Sequence, residues 1–155
     1  SHALALATVS IHRLGREDLA VLDSLGDCAL DHPLQRDLAA CYLRDPDKLL
    51  LVAMRDGVVI GAGSAIASVH PDKALQLFIN EIGVAASCRG QGIGTKLLQG
   101  LLERGRLMGC IEARATAEED NRCARALYEA VRGRQRFARA FVYTWPLCDR
   151  SFDDK

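Results

Sequence analysis

Apolar residues recur with two different periods along the chain, and each period predicts one type of element. Apolar or alternating runs predict β-strands over residues 9–13, 49–54, 58–67, 75–85, 111–116 and 137–145. Helical spacing, as in Leu19, Leu22 and Leu25, predicts helices over residues 16–30, 33–43, 95–108 and 121–132. The pair Asp56-Gly57 predicts a hairpin turn between the second and third strands. This order of elements indicates an α/β (α+β) fold with a mixed sheet that changes from antiparallel to parallel pairing.

The stretch RGQGIG, residues 89–94, lies between the fourth strand and the third helix. A helix N-terminus has unpaired N–H groups and a partial positive charge, so an anion can bind there if no Cβ blocks its approach. Gly90, Gly92 and Gly94 leave that approach open, and Arg89 adds a positive charge. The stretch therefore predicts a phosphate cradle.

The spacing of the glycines excludes two common cradles. A P-loop needs Lys-Ser or Lys-Thr after its last glycine, whereas Gly94 is followed by Thr95-Lys96. A dinucleotide fingerprint would need glycine in place of Thr95. The remaining pattern, [QR]-x-x-G-x-[GA], together with NEIGVAASCRGQGIGTKLLQGLL and EEDNRCARALYEA, resembles the GNAT acetyltransferase superfamily.

This resemblance covers nearly the whole chain and implies one domain over residues 1–155, with a splayed sheet of six to seven strands and about four helices. It also implies acetyl-coenzyme A as co-substrate. The backbone of Ile82 and Val84 would bind the pantetheine arm, the Val84 N–H would stabilise the oxyanion, and a bulge at Gly83 would open the sheet. The residues assigned to the cofactor are Ile82, Gly83, Val84, Arg89, Gly90, Gln91, Gly92, Ile93, Gly94, Thr95, Asn121 and Tyr128.

Glu81 is the candidate general base for the attacking amine. Regular alternation would place it on one face of the fourth strand with Leu77 and Ile79, and would place Phe78, Asn80, Ile82 and Val84 on the other face. Both faces are mainly apolar, so this strand is expected to be central and buried. A carboxylate in such a strand needs a partner or a solvated cleft, and pairing with a buried arginine is the alternative role.

Tyr128 is the candidate general acid for the leaving thiolate, because a phenol can donate its proton there. It lies seven residues after Asn121, which places both on one helix face. The alternative roles are an aromatic core residue for Tyr128 and a helix cap for Asn121.

Charged residues suggest the class of acceptor. Asp27 and Asp31 continue an i, i+4 series from Asp23, and Glu118 and Asp120 lie in a later acidic stretch. In GNAT folds both segments border the acceptor site together with Asn80 and Glu81, and an acidic wall would attract a small cationic amine such as an aminoglycoside or polyamine. The chain is also similar to the short GNAT aminoglycoside 3-N-acetyltransferases. Solvated helix faces, a protein or peptide amine as acceptor, and a non-catalytic acetyl-coenzyme A-binding module stay open as alternatives.

Composition excludes several other classes. The 20 basic and 20 acidic residues cancel, which argues against broad nucleic-acid binding. No apolar run is long enough to span a bilayer, and no typical signal peptide is present, so a cytoplasmic protein is expected. The six cysteines show no C-x-x-C spacing, and no two Cys or His form a ligand pair, so neither disulfides nor a metal are expected. A homodimer is plausible, although no residue demonstrates it.

Overall fold

The computed structural model describes residues 8–25, 33–136 and 139–148. Within them it contains five strands, three α-helices and two short 3₁₀ helices. The strands are β1 (Ser10–Arg13), β2 (Lys48–Arg55), β3 (Val58–Ser68), β4 (Gln76–Val84) and β5 (Glu112–Ala115). The helices are α1 (Arg36–Arg44), α2 (Ile93–Leu107) and α3 (Arg122–Ala130), with 3₁₀ helices Arg16–Ser24 and Ala86–Cys88.

The strands form one sheet in the order β1-β2-β3-β4-β5. The first three pairings are antiparallel, and β4 pairs with β5 in parallel. The parallel pairing follows because the glycine loop and α2 connect the two strands by a crossover. The predicted mixed α/β class is therefore confirmed, whereas the predicted strand number is wrong, since the described residues form five strands rather than six or seven.

The predicted last strand, residues 137–145, is wrong over its described part. Residues 139–148 contain no strand, and residues 137–138 lie outside the described ranges. Phe141, Tyr143 and Trp145 are each more than 70% exposed. Alternating apolar residues form a strand only where a neighbouring strand completes the hydrogen-bond ladder, and no described strand lies beside this segment.

The predicted first helix is also different in the structure. Residues 16–24 form a 3₁₀ helix with non-helical backbone angles at Asp18, and residues 26–32 lie outside the described ranges. The Gly15 N–H donates to the Asp18 carboxylate over 2.7 Å. This bond caps the start of the helix, and the Asp18 N–H donates to the Gly15 carbonyl oxygen over 2.9 Å, which is the i→i+3 pattern of a 3₁₀ turn.

The two faces of the sheet bury separate cores. On one face α2 contributes Leu97 and Leu101, which pack with Leu77 and Ile79 of β4. On the other face Leu43 of α1 and Leu22 of the 3₁₀ helix pack on β2 and β3. The sheet is thus covered on both sides, as its apolar central strands require.

A β-bulge in β4 changes the faces on which its residues lie. Ser64 of β3 pairs with Glu81, whereas the next residue, Ala65, pairs with Ile79. Asn80 is therefore the extra residue, and the alternation of side chains reverses after it. Ile82 and Val84 join Leu77 and Ile79 on the α2 face, and Glu81 faces the α1 side. The regular alternation predicted from the sequence is wrong, and so is the bulge predicted at Gly83, which pairs regularly with Ala62.

Close packing of α2 on β3 depends on glycine at position 61. A Cβ there would lie 3.0 Å from the Gly83 carbonyl oxygen, 3.2 Å from Leu97 Cδ1 and 3.3 Å from Ile93 Cγ2. All three distances are shorter than ordinary contacts, so a side chain would push the helix away from the sheet.

We predict that Gly61→Val destabilises the protein by about 1–3 kcal/mol, because it overpacks this contact. Urea unfolding measures the change. The control is Ala113→Val, at an exposed strand position, which should change stability by less than about 0.5 kcal/mol. Equal stabilities of the two variants would contradict the close packing.

Candidate active site

The glycine loop presents free space in front of the N-terminus of α2. Gly90 and Gly92 have φ angles of 75° and 79°, and a Cβ at either residue would meet nothing within 4 Å. Gly92 is the N-cap of α2, and Lys96 N donates to its carbonyl oxygen over 3.1 Å. The N–H groups of Ile93, Gly94 and Thr95 consequently have no acceptor within the helix. An anion in the open space would bind at these donors.

The sequence predicts that all three glycines leave a path open for the anion, but Gly94 does not. A Cβ at Gly94 would lie 3.5 Å from Leu127 Cδ2 and 3.9 Å from Val84 Cγ2, which are ordinary contact distances. This glycine is therefore covered by α3 and β4 rather than open to a ligand.

Two arginines lie around the loop. Arg89 Nε donates to the Val84 carbonyl oxygen over 3.3 Å, so its side chain folds back toward the end of β4. Arg55, at the end of β2, donates from Nη2 to Gln91 Oε1 over 2.8 Å. The Arg55 Nε is buried with no hydrogen-bond partner among the described residues. Sequence analysis missed Arg55 because 36 residues separate it from Gln91.

The second half of β4 has one edge that no described strand covers. β5 pairs only with Gln76–Ile79, so no described strand pairs with this edge of Asn80 to Val84. The Ala85 N–H donates to Ile60 O over 2.8 Å, which fixes the alternation of the backbone groups. Ile82 and Val84 therefore direct their N–H and C=O groups toward the uncovered edge. The pairing of strands four and five ends next to the bulge, and the predicted splay between them stays a prediction.

Glu81 lines a cavity of about 350 Å³ between the sheet and α1. Its side chain is partly buried there, and it has interactions with neighbouring groups. Tyr42 of α1 and Ser64 of β3 also line this cavity. Ser64 pairs with Glu81 across the sheet, and the charge of Glu81 acts on Tyr42. Glu81 reaches this cavity because the bulge at Asn80 directs its side chain to the α1 side of the sheet.

Tyr42 is a site residue that the sequence did not reveal. Its hydroxyl donates to the Leu49 carbonyl over 2.8 Å and lies 3.3 Å from the Ala65 carbonyl. Burial raises the pKa of Tyr42 to about 12, an effect that hydrogen bonds from Ser64 and Asn80 oppose and the charge of Glu81 reinforces. From sequence alone, Tyr42 cannot be distinguished from an ordinary apolar contact of an amphipathic helix.

Asn121 and Tyr128 lie at opposite ends of α3. Asn121 Oδ1 accepts from Ala124 N over 3.1 Å, so the helix-cap alternative is confirmed for Asn121. Tyr128 is half-buried against the core around α2, and this burial raises the pKa of its phenol. Neither residue lines the cavity that holds Glu81.

The predicted acidic wall is not assembled by the described residues. Glu118 and Asp120 lie in an exposed turn before α3 and do not line the cavity, and neither does Asn80, although it bonds to Tyr42. Asp27 and Asp31 lie outside the described residues.

Comparison with known proteins identifies the family to which this glycine loop, mixed sheet and flanking helices belong. The model of the acetyltransferase (GNAT) family matches residues 17–133. The chain belongs to the GNAT acetyltransferase family. The resemblance stated for the motifs is thereby confirmed, and with it the class of enzyme.

Curated relatives of this GNAT chain differ in the acceptors that their names give. N-alpha-acetyltransferase 30 of Schizosaccharomyces pombe is 29% identical over 74% of this chain and 75% of that protein. L-2,4-diaminobutyric acid acetyltransferase of Shouchella clausii is 35% identical over 50% of this chain and 43% of that protein. Mycothiol acetyltransferase of Thermomonospora curvata is 33% identical over 90% of this chain and 48% of that protein. The chain therefore spans less than half the length of the last two relatives.

Solved structures share the fold of this GNAT chain. An aminoglycoside acetyltransferase from an uncultured soil metagenomic sample, in complex with sisomicin, superposes with a TM-score of 0.77 and 17% identity, over 89% of this chain and 97% of that chain. The aminoglycoside N-acetyltransferase AAC(6')-Iy in complex with CoA superposes with a TM-score of 0.74 and 19% identity, over 92% of this chain and 97% of that chain. At these identities the likeness establishes the fold alone.

The described residues contain neither a membrane-spanning helix nor a cluster of metal ligands. None of the helices there combines the length and the apolar character that crossing a membrane requires. The same residues contain no group of three His, Cys, Asp or Glu side chains that could hold a metal ion.

We predict that Tyr42 makes stability depend on pH above about 10. Its pKa is about 12 in the folded protein and 10.0 for an ordinary phenol, so the stability from the neutral, hydrogen-bonded phenol is complete below pH 10. That contribution is lost as pH rises from 10 toward 12. Tyr42→Phe should lower the free energy of unfolding by about 0.5–1.5 kcal/mol at pH 8, and this deficit should shrink above pH 10.

Urea unfolding of both proteins at pH 8 and at several values between 10 and 12 measures the deficit. Other titrating groups, including Tyr128, are common to both proteins and cancel in the difference. A deficit that stays constant over this range would contradict the raised pKa of Tyr42.

Proposed function

We propose that this protein is an acetyl-CoA-dependent N-acetyltransferase whose acceptor is a small primary amine that arrives as a cation. The observation that carries this proposal is the bulge at Asn80. It directs Glu81 into the cavity on one side of β4 and leaves the backbone of Ile82 and Val84 uncovered beside the glycine loop. Residues 81–84 thus supply both the carboxylate that would accept a proton from the amine and the strand edge that would bind the acetyl donor.

The donor would bind along this edge. The N–H groups at the start of α2 and the loop residues Arg89 to Thr95 would hold the pyrophosphate, with Arg89 and Arg55 supplying positive charge. Ile82 and Val84 would pair with the pantetheine arm as an added strand. The Val84 N–H would then donate to the oxyanion that forms on the acetyl carbonyl. A fold neighbour solved in complex with CoA supports this co-substrate.

The reaction would proceed by direct attack of the acceptor amine on the thioester of acetyl-CoA. Glu81, directly or through a water, would take a proton from the ammonium group, and the free amine would attack the thioester carbonyl carbon. A C–N bond forms, the attacking nitrogen releases its second proton to water, the C–S bond breaks, and the thiolate of coenzyme A leaves. Tyr128 would protonate that thiolate, and its raised pKa keeps the phenol protonated at neutral pH. Asn121 would be held in place by its cap hydrogen bond while it contacts the cofactor.

For the acceptor, an aminoglycoside or polyamine is one candidate class. Fold neighbours are aminoglycoside acetyltransferases, and some relatives are named for diaminobutyric acid. Asn80, Asp27, Asp31, Glu118 and Asp120 would be the residues attracting such a cation. A protein or peptide amine is the second candidate, favoured by the relative named N-alpha-acetyltransferase. A single domain over residues 1–155, a cytoplasmic location and a homodimer stay predictions.

We predict that Glu81→Gln lowers kcat by about 10²-fold or more, because the amine is then left protonated. The affinity for acetyl-CoA should change little, since the loop and the edge of β4 are untouched. Thiol release at saturating amine measures kcat, and calorimetry measures acetyl-CoA binding.

The control for Glu81→Gln is Glu103→Gln, which removes an exposed carboxylate that pairs with Arg106 over 3.0 Å on the outside of α2. Unchanged kcat in Glu81→Gln would remove Glu81 from the mechanism. If the wild-type protein binds acetyl-CoA and releases no thiol with any amine, the non-catalytic binding module would replace the proposal.

We also predict that Gly92→Ala weakens acetyl-CoA binding about tenfold or more. The new Cβ would project into the open space where the pyrophosphate is proposed to bind. Gly57→Ala is a matched control, because Gly57 has a φ of 76° and open space around it but lies in the β2–β3 turn. Both variants should lose similar stability, about 1–2 kcal/mol, for placing alanine at positive φ. Equal acetyl-CoA affinities of the two variants would contradict a cradle at this loop.

A further inference from the structure

The cavity beside Glu81 has mostly apolar walls. Its apolar lining comes mainly from the 3₁₀ helix, α1, β2 and β3 and includes Leu22, Leu38, Leu43, Leu50 and Ala62. The polar side chains of the lining are Gln35, Tyr42, Ser64 and Glu81. An apolar pocket with a few polar groups at one end is the usual form of a site for a small molecule with an apolar body.

The described part of the cavity lining carries its charge at one point. Among the described residues that line it, Glu81 is the single carboxylic acid. A polyamine or aminoglycoside would bring several ammonium groups, and the described lining offers a counter-charge to one of them, whereas each additional one would be desolvated against leucine side chains. A ligand with one ammonium group would pair that group with Glu81 and place an apolar group against the leucines.

The mouth of the cavity supports the same conclusion. Leu38 lies in the lining and is 61% exposed, although it is on the first turn of α1, where a polar residue would be equally compatible with the helix. An apolar side chain held at the rim of an apolar cavity gains contact area when a ligand with an apolar group enters.

We propose that the acceptor is a primary amine with one ammonium group and an aliphatic or aromatic body, rather than a polycation. The ammonium lies at Glu81, and the body lies among the leucines of α1, β2 and the 3₁₀ helix. This inference rests on the proposed acetyltransferase function and narrows its acceptor.

The test is a series of unbranched alkylamines, from propylamine to octylamine, compared with spermidine and an aminoglycoside. Thiol release from acetyl-CoA gives kcat/KM for each amine. Each added methylene that enters the cavity should raise kcat/KM by about fourfold, until the cavity of about 350 Å³ is filled. Spermidine and the aminoglycoside should fall below hexylamine.

A substitution of Leu38, at the mouth of the cavity, tests where the apolar part of the acceptor binds. Leu38→Asp should lower kcat/KM for hexylamine about tenfold and raise it for spermidine, because it adds a second carboxylate at the mouth. An acidic residue in the first turn of a helix is compatible with folding. Val58→Asp is the matched control, since Val58 is 59% exposed but lies at the start of β3 outside the cavity lining. It should leave the ratio of the two amines unchanged.

The outcomes separate this inference from the proposed function. A flat alkylamine series with efficient acetylation of spermidine or the aminoglycoside would overturn the inference, keep the acetyltransferase function and favour the predicted role of Asp27 and Asp31. If no amine releases thiol, the proposed function fails, and calorimetric binding of the same amines with coenzyme A present decides the inference. Binding that strengthens with chain length and weakens in Leu38→Asp would support it; tighter binding of spermidine would overturn it.

Discussion

The single extra residue in β4 is the constraint on which the arrangement of the site depends. Because Ser64 pairs with Glu81 while Ala65 pairs with Ile79, the side chains of β4 reverse their alternation at Asn80. Before this point Leu77 and Ile79 are buried under α2. After it Glu81 enters the cavity on the opposite side, while Ile82 and Val84 continue the apolar contact with α2. Without the bulge, Glu81 would project into the buried core around α2, where an ionised carboxylate is costly.

The same position also marks the end of the pairing between β4 and β5. β5 follows β4 only as far as Ile79, so the uncovered edge begins at the bulged residue. A bulge also increases the local twist of its strand. The orientation of Glu81 and the start of the uncovered edge therefore coincide at Asn80.

The N-terminus of α2 is held against this edge by close packing. Leu97 and Leu101 are fully buried against the sheet, and Gly61 allows the helix to approach β3 closely. The loop before the helix is connected to β4 through Arg89 and to β2 through Arg55 and Gln91. The N-terminal end of α2 is thereby positioned by the sheet on which the helix packs.

Local sequence determined the glycine loop, the hairpin at Asp56-Gly57, the order of the central strands and membership of the GNAT family, because these features depend on neighbouring residues. Only the tertiary structure decided the bulge at Asn80, the face of Glu81, the contact of Tyr42 with Ala65, and the absence of a strand at residues 139–145. Each of these depends on how one strand or helix pairs with another that is distant in sequence. A period of alternating residues specifies which side chains share a face only while the pairing is regular, and one inserted residue reverses it.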